Sequence, residues 1–164
     1  MGAVQASVVC RATVHEAQQR WCDTSRWELW VDGLAEVVSV GEGWPGAGSE
    51  VRWQSGSAGR GSVTERVLAY DALEAIDLEV DDDYVRGRQS VSFTAAADGT
   101  EVVLSLAYRI KRRNPFTPLV DVLFVRRAME SSLATTLARF AAQFAGGGAG
   151  TGGETGAGAG PGAG

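Results

Sequence analysis

The chain has 164 residues and a formal net charge of −5, with 15 Lys and Arg against 20 Asp and Glu. That balance argues against nonspecific nucleic-acid binding, which needs a basic footprint to displace counterions. No window approaches 18 uninterrupted apolar residues, so no membrane span is expected, and the opening MGAVQASVVCRATV lacks the basic start and apolar run of a secretory signal.

A single lysine, Lys111, stands against fourteen arginines in a chain rich in Ala and Gly. Such usage is expected of a GC-rich bacterial genome. With no export signal, a cytoplasmic chain is expected, and Cys10 and Cys22 read as reduced thiols in or near a core.

Residues 4–12, rich in Val and Ala, suit a first strand. Thr13 to Glu16 then reads as a capping box, with Thr13 accepting at Glu16 and Glu16 reaching back. A short helix is predicted over 14–22 and a second short helical segment over 24–31. Together they carry Trp21, Trp27 and Trp30, three of the chain's five tryptophans. Gly33 ends this part.

Period-2 patterns follow, broken by Gly, Asp and Ser turns. Strands are predicted over 34–40, 50–55, 62–70, 74–80, 84–96 and 100–110. Val51 and Trp53 share one face, as do Val91 and Phe93, and Tyr108 shares a face with Leu104 and Leu106. Consecutive strands joined by tight turns should be antiparallel, and Asp98-Gly99 is a strong hairpin signal. In strand 62–70 the two faces are nearly balanced. Either Val63, Glu65 and Val67 turn inward, or Thr64, Arg66, Leu68 and Tyr70 do.

After KRRNPFTP the period becomes three to four, with Leu119, Val122, Leu123, Met129, Leu133, Leu137, Phe140 and Phe144 on one helix face. Asn114-Pro115 or Thr117-Pro118 supplies the start. A helix from about 118 to 145 needs a broad surface to lie on, and only the sheet offers one. From Gly146 the chain reads GGGAGTGGETGAGAGPGAG, without large apolar residues. It cannot bury enough surface to offset its ordering entropy, so a domain over 1–145 and a flexible tail over 146–164 are expected.

These elements imply an α+β domain: a curved seven-stranded antiparallel sheet around a long C-terminal helix, with two short helices after the first strand. One helix about 10 Å across cannot fill so curved a sheet, so a gap is expected between them. Small molecules bind in gaps of this kind.

The segment VHEAQQRWCDTSRWELW, the glycines at 41–48, GSVTERVLAY (61–70) and RRAMESSLATTLARF (126–140) resemble the START-like, or SRPBCC, superfamily. The nearest branch is that of polyketide cyclase/dehydrase and lipid-transport-like proteins. The resemblance implies the helix-grip fold, usually with an enclosed apolar cavity. It also implies a small hydrophobic ligand, lipid or polyketide-like. It supplies no invariant catalytic residue.

The side chains expected to meet a ligand are Trp27, Trp30, Trp53 and Glu65, with Tyr70, Phe93, Tyr108 and Leu123. A carboxylate at Glu65 among apolar walls would have its pKa raised by desolvation. A carrier is the first functional expectation. A polyketide aromatase/cyclase or dehydratase using Glu65, Arg66 or Tyr108 is the second, and an interaction module with a collapsed cavity the third.

Other signals read as structural. His15, the only histidine, is expected on the surface. Cys10, Cys22 and His15 lack metal-ligand spacing, and no metal or cofactor is expected. GEGWPG (41–46) satisfies a dinucleotide pattern literally but leads into a strand, so it reads as a hairpin. EVDDDY (79–84) reads as a solvated turn. RIKRRN (109–114) reads as a connector or an anion-recognising rim. Oligomeric state is open.

Overall fold

The computed structural model describes residues 1–57, 59–111 and 119–146; of 119–122 it describes the backbone alone. Seven strands form one antiparallel sheet: β1 (Gly2–Cys10), β2 (Leu34–Val40), β3 (Glu50–Ser55), β4 (Ser62–Asp71), β5 (Ala75–Asp81), β6 (Val85–Ala96) and β7 (Gly99–Ile110). Their spatial order is β1-β7-β6-β5-β4-β3-β2. From β2 to β7 the strands follow one another by short turns, and only β1 arrives from the far end of the chain.

Helix α1 (Val14–Cys22) is followed by the second short helical segment, which is a 3₁₀ helix over Thr24–Leu29. The capping box forms as read: Glu16 N donates to Thr13 Oγ1 at 3.2 Å, and Thr13 N donates to Glu16 Oε2 at 2.8 Å. The long helix α2 runs Leu119–Ala142, 24 residues and about 36 Å at 1.5 Å per residue. The proline signals proposed for its start and the glycine-rich tail after Gly146 lie outside the described residues.

α2 lies chiefly along β1, with a lesser contact to β7. α1 and the 3₁₀ segment cover the inner face toward β6 and β2. Between these elements sits one core. Val51, Val63, Val67, Ile76, Leu78, Val80, Val91, Val102, Leu104 and Leu106 come from the sheet, and Met129, Leu133, Leu137 and Phe140 from α2.

The anticipated gap is largely filled. Trp21 packs on Trp30 (ring centres 4.7 Å apart), and Phe140 stands edge-on to both, at 5.1 and 5.0 Å. Trp27 meets Trp30 at 6.2 Å and Trp44 at 5.7 Å. Indoles of this size occupy the space that one narrow helix leaves over a curved sheet. Trp27 Nε1 donates to Trp21 O and Trp44 Nε1 to Cys22 O, both at 2.8 Å, so these two rings bury their polar edge at no loss.

A candidate polar pocket at the bottom of the crevice

The balance between the two faces of β4 is settled by a bulge. Val63, Glu65 and Val67 face inward, opposite core positions of β3 and β5, and the register shifts between Val67 and Ala69. The shift takes up Leu68 and brings Tyr70 directly opposite Ile76, a core residue. Direct antiparallel partners share a face. Glu65 and Tyr70 therefore lie on the same face, which strict alternation forbids. Arg66 points outward and pairs with Glu50 at 3.2 Å.

Glu65 is 8% exposed, and Trp53 Nε1 donates to its Oε1 at 3.1 Å. Burial pushes its carboxyl above the ordinary glutamate range; the Trp53 hydrogen bond and the nearby Arg60 charge act the other way without cancelling it. Arg60 comes from the β3–β4 connection. Its Nε donates to Asp82 Oδ2 at 2.5 Å, and its guanidinium carbon lies 5.9 Å from the Trp53 ring centre.

These groups border an interior void of about 40 Å³ that Trp21, Trp27, Trp30, Trp53, Arg60, Glu65, Gln89 and Leu104 share with Val31, Asp32, Ser132, Leu133 and Thr136. That space suits roughly three waters, so the roomy apolar cavity expected from the resemblance is here a small void of mixed apolar and polar lining. Two buried donors of residues that line it, Trp30 Nε1 and Arg60 Nη2, have no hydrogen-bond partner among the described residues. An unmet buried donor costs about 1–3 kcal/mol, a cost that an oxygen atom admitted beside either one would relieve. A larger depression, about 740 Å³, lies around Gln5, Asp77, Ser90 and Ser105 of the sheet's other face, with Arg126 and Glu130 of α2 also on its border. Its lining includes neither of those donors.

Of the residues anticipated to meet a ligand, Trp27, Trp30, Trp53 and Glu65 share the void. Phe93 packs against Trp21 at 6.3 Å, in the core but off the void. Tyr108 is buried with its ring and hydroxyl against Gly2, where a Cβ would meet its Cζ at 2.6 Å. Burial raises its pKa, with Arg126 and Glu130 of α2 acting in opposite senses. Tyr70, 37% exposed, does not line the void and donates to Gln18 Oε1 of α1 at 3.4 Å; burial, and then the Cys22 thiol, raise its pKa. Leu123 is corrected outright. It is 63% exposed on the outer side of α2, as is Phe124 at 73%, because the apolar run there covers more of the helix circumference than the sheet can touch.

Arg60 and Asp82 were missed. Arg60 sits in a glycine-rich turn, SGSAGRG, whose composition signals only exposure. Asp82 was read as part of a solvated turn, yet its side chain is fully buried, accepting from Tyr84 N at 2.8 Å and Val85 N at 2.7 Å. An Asp at the head of a short turn, able to accept from backbone N–H groups two and three residues on, is the signal that was available. The basic connector is engaged at its described end. Lys111 pairs with Asp81 and donates to Asp82 O at 2.6 Å; residues 112–114 lie outside the described residues. His15 is exposed, and no metal-holding group of His, Cys, Asp and Glu occurs among the described residues. No helix among them is long and apolar enough to cross a membrane.

Comparison with known proteins agrees with this architecture. The sequence model described as polyketide cyclase / dehydrase and lipid transport matches residues 1–145. The chain belongs to that family. Among solved structures, a protein of Thermus thermophilus is 17% identical, with a TM-score of 0.73 over 90% of this chain and 100% of the other. A Streptomyces aromatase/cyclase is 15% identical, with a TM-score of 0.73 over 87% and 92%. A START superfamily protein of Mycobacterium smegmatis is 14% identical, with a TM-score of 0.68 over 87% and 96%. At such identities the likeness is one of fold. No curated protein matches the chain.

Proposed function

We propose that this protein binds a small organic molecule through a neutral oxygen, a carbonyl or phenol, at the bottom of the crevice between sheet and α2. The observation that carries the reading is the meeting of two unpartnered buried donors, Trp30 Nε1 and Arg60 Nη2, with a buried acid, Glu65, around one void. A protonated Glu65 offers an O–H and an acceptor together. The surrounding indoles offer flat apolar walls.

A ring-sized ligand needs more than 40 Å³. The wall that can yield is the one made of two elements, Val31 and Asp32 against Ser132, Leu133 and Thr136. It is tied by Asp32 N donating to Thr136 Oγ1 at 3.0 Å and by a partly exposed Asp32–Arg139 pair at 3.3 Å. The remaining walls are the strand residues Trp53, Glu65, Gln89 and Leu104, held by their ladders, with the packed indoles Trp21, Trp27 and Trp30 and Arg60 of the β3–β4 connection.

Binding of α-naphthol, followed by the indole N–H signals of Trp30 and Trp53 in NMR, tests this. The supporting result is saturable movement of both signals, weakened at least tenfold in Arg60→Met. Absence of movement at millimolar probe sinks the reading. Aromatase/cyclase chemistry at the same pocket, with Glu65 as proton donor to a ring-closing carbonyl, is supported further if a reactive poly-β-ketone turns over and Glu65→Gln abolishes turnover with the fold intact. One observation favours a different reading, an interaction module without a ligand: the interior is nearly full. Native mass spectrometry that recovers the chain bound to a protein, with the Trp30 signal indifferent to every small molecule, would favour that alternative.

A further inference from the structure

One half-buried arginine, Arg60, bonds one buried carboxylate, Asp82, and lines the same void as another, Glu65. Asp82 opens the β5–β6 turn, and its carboxylate receives three donated hydrogen bonds: Arg60 Nε, Tyr84 N and Val85 N. Asp82 N in turn donates to Val85 O at 3.0 Å, and Asp83 N to Arg60 O at 3.4 Å. The turn is thus a socket preset by its own backbone, and it takes the guanidinium by its Nε edge. Nη2, which shares that edge with Nε, is buried and without a partner among the described residues. Arg60 lines the same void as Glu65, whose Oε1 is held by Trp53.

We propose that Asp82 is a positioning residue: by engaging Nε of Arg60 it fixes that guanidinium on the void it shares with Glu65 and balances its charge there, while Nη2 keeps no partner of its own. The ligand half rests on the function proposed above; the relation between Asp82 and Glu65 does not. The Asp82 and Arg60 charges cancel, so the three groups sum to zero wherever Glu65 holds its proton. A neutral oxygen fits such a site better than a carboxylate, which would bring an unbalanced charge into a poorly solvated space.

The other charged groups facing Glu65 do not supply the balance. Asp32, from the segment before β2, pairs with Arg139 of α2. The remaining void-lining groups of β6 and α2 are Gln89, Ser132 and Thr136, which do not titrate. Lys111 gives its charge to Asp81 and meets only the backbone oxygen of Asp82. Asp83, in the same turn as Asp82 and beside Gly61, does not line the void, so removing the Asp82 charge leaves Glu65 and the Arg139-paired Asp32 as the carboxylates that line it with Arg60. An opposite charge at close range favours the ionised form by roughly 1–3 pH units.

The test is a carbon-13 NMR titration of the Glu65 carboxyl in the full chain. Asp82→Asn is expected to lower the Glu65 midpoint by about 1–3 units. Asp82→Glu, which keeps the counter-charge, should stay near the wild type. Arg60→Gln should raise the midpoint, and adding Asp82→Asn to it should change nothing further. A merely structural Asp82 would lower thermal stability and leave the midpoint in place, and that result overturns the proposal. So does a wild-type Glu65 that titrates at an ordinary glutamate value, a measurement that stands even where Asp82→Asn does not fold. The affinity for α-naphthol should fall about tenfold in Asp82→Asn. If α-naphthol does not bind the wild type, the ligand reading fails, and the carboxyl titration still decides the role of Asp82.

Discussion

The two ends of the crevice are built on opposite principles. At the α1 end, Trp21, Trp30 and Phe140 meet ring against ring. At the β3–β4 end, Trp53, Glu65, Arg60 and Asp82 meet through hydrogen bonds and charge. The first end gains by removing apolar area from water, a term without direction that tolerates small shifts. The second pays for desolvation and recovers it only where geometry is held. Bulk closes one end, and directed polar contacts leave a small opening at the other.

The sharpest way to break the aromatic end is Phe140→Ala. Phe140 has no exposure and touches Trp21, Trp30 and Phe144. A loss of about 3–5 kcal/mol is expected in urea unfolding. If the polar end is independent, the Glu65 carboxyl should keep its raised titration in whatever fraction remains folded.

The polar end is sharpened by pH. Burial raises Glu65 in the folded state, so the folded chain holds this proton more tightly than the unfolded one. The resulting stability is present in full below the ordinary glutamate value and is lost as pH rises through the raised folded value. Between those limits the slope approaches about 1.4 kcal/mol per pH unit. Glu65→Gln should abolish that slope and make the chain more stable than wild type at neutral pH. Parallel stability–pH curves for the two proteins would contradict this.

Smaller effects check the scaffold on either side. Thr13→Ala removes the capping box of α1 and should cost about 1 kcal/mol, with the Glu65 titration unmoved. Cys22, half-buried beside that helix, has its thiol pushed up to about 11 by burial. Ellman's reagent should therefore modify it far more slowly in the native chain than in the unfolded one at about pH 8. Phe124→Ser, on the exposed side of α2, should change stability by less than about 0.5 kcal/mol.

Much of the architecture was legible in residue order. Alternation of apolar residues marked six strands, because a sheet with one covered face imposes a period of two wherever it is paired. Thr13 and Glu16 marked α1, because a capping box is local. Leu133, Leu137 and Phe140 marked the buried side of α2, because helical period is local as well. The extent of first and last elements was less sharp: β1 begins at Gly2 rather than near residue 4, and α2 ends at Ala142 rather than 145.

What only the tertiary structure decided was the content of the crevice. A residue's spacing does not say how far α2 stands from the sheet, and that distance turned an anticipated apolar cavity into a void of about 40 Å³. Nor does spacing reveal a bulge, and one extra residue at Leu68 put both Glu65 and Tyr70 on the inner face. Arg60 and Asp82 lie 22 residues apart in two unremarkable turns. Their pairing arises from the stacking of β3–β4 beside β5–β6, a contact between strands that the sequence specifies only through the fold as a whole. Local periods are fixed by backbone geometry, whereas charge balance and cavity size depend on which distant side chains arrive at the same place.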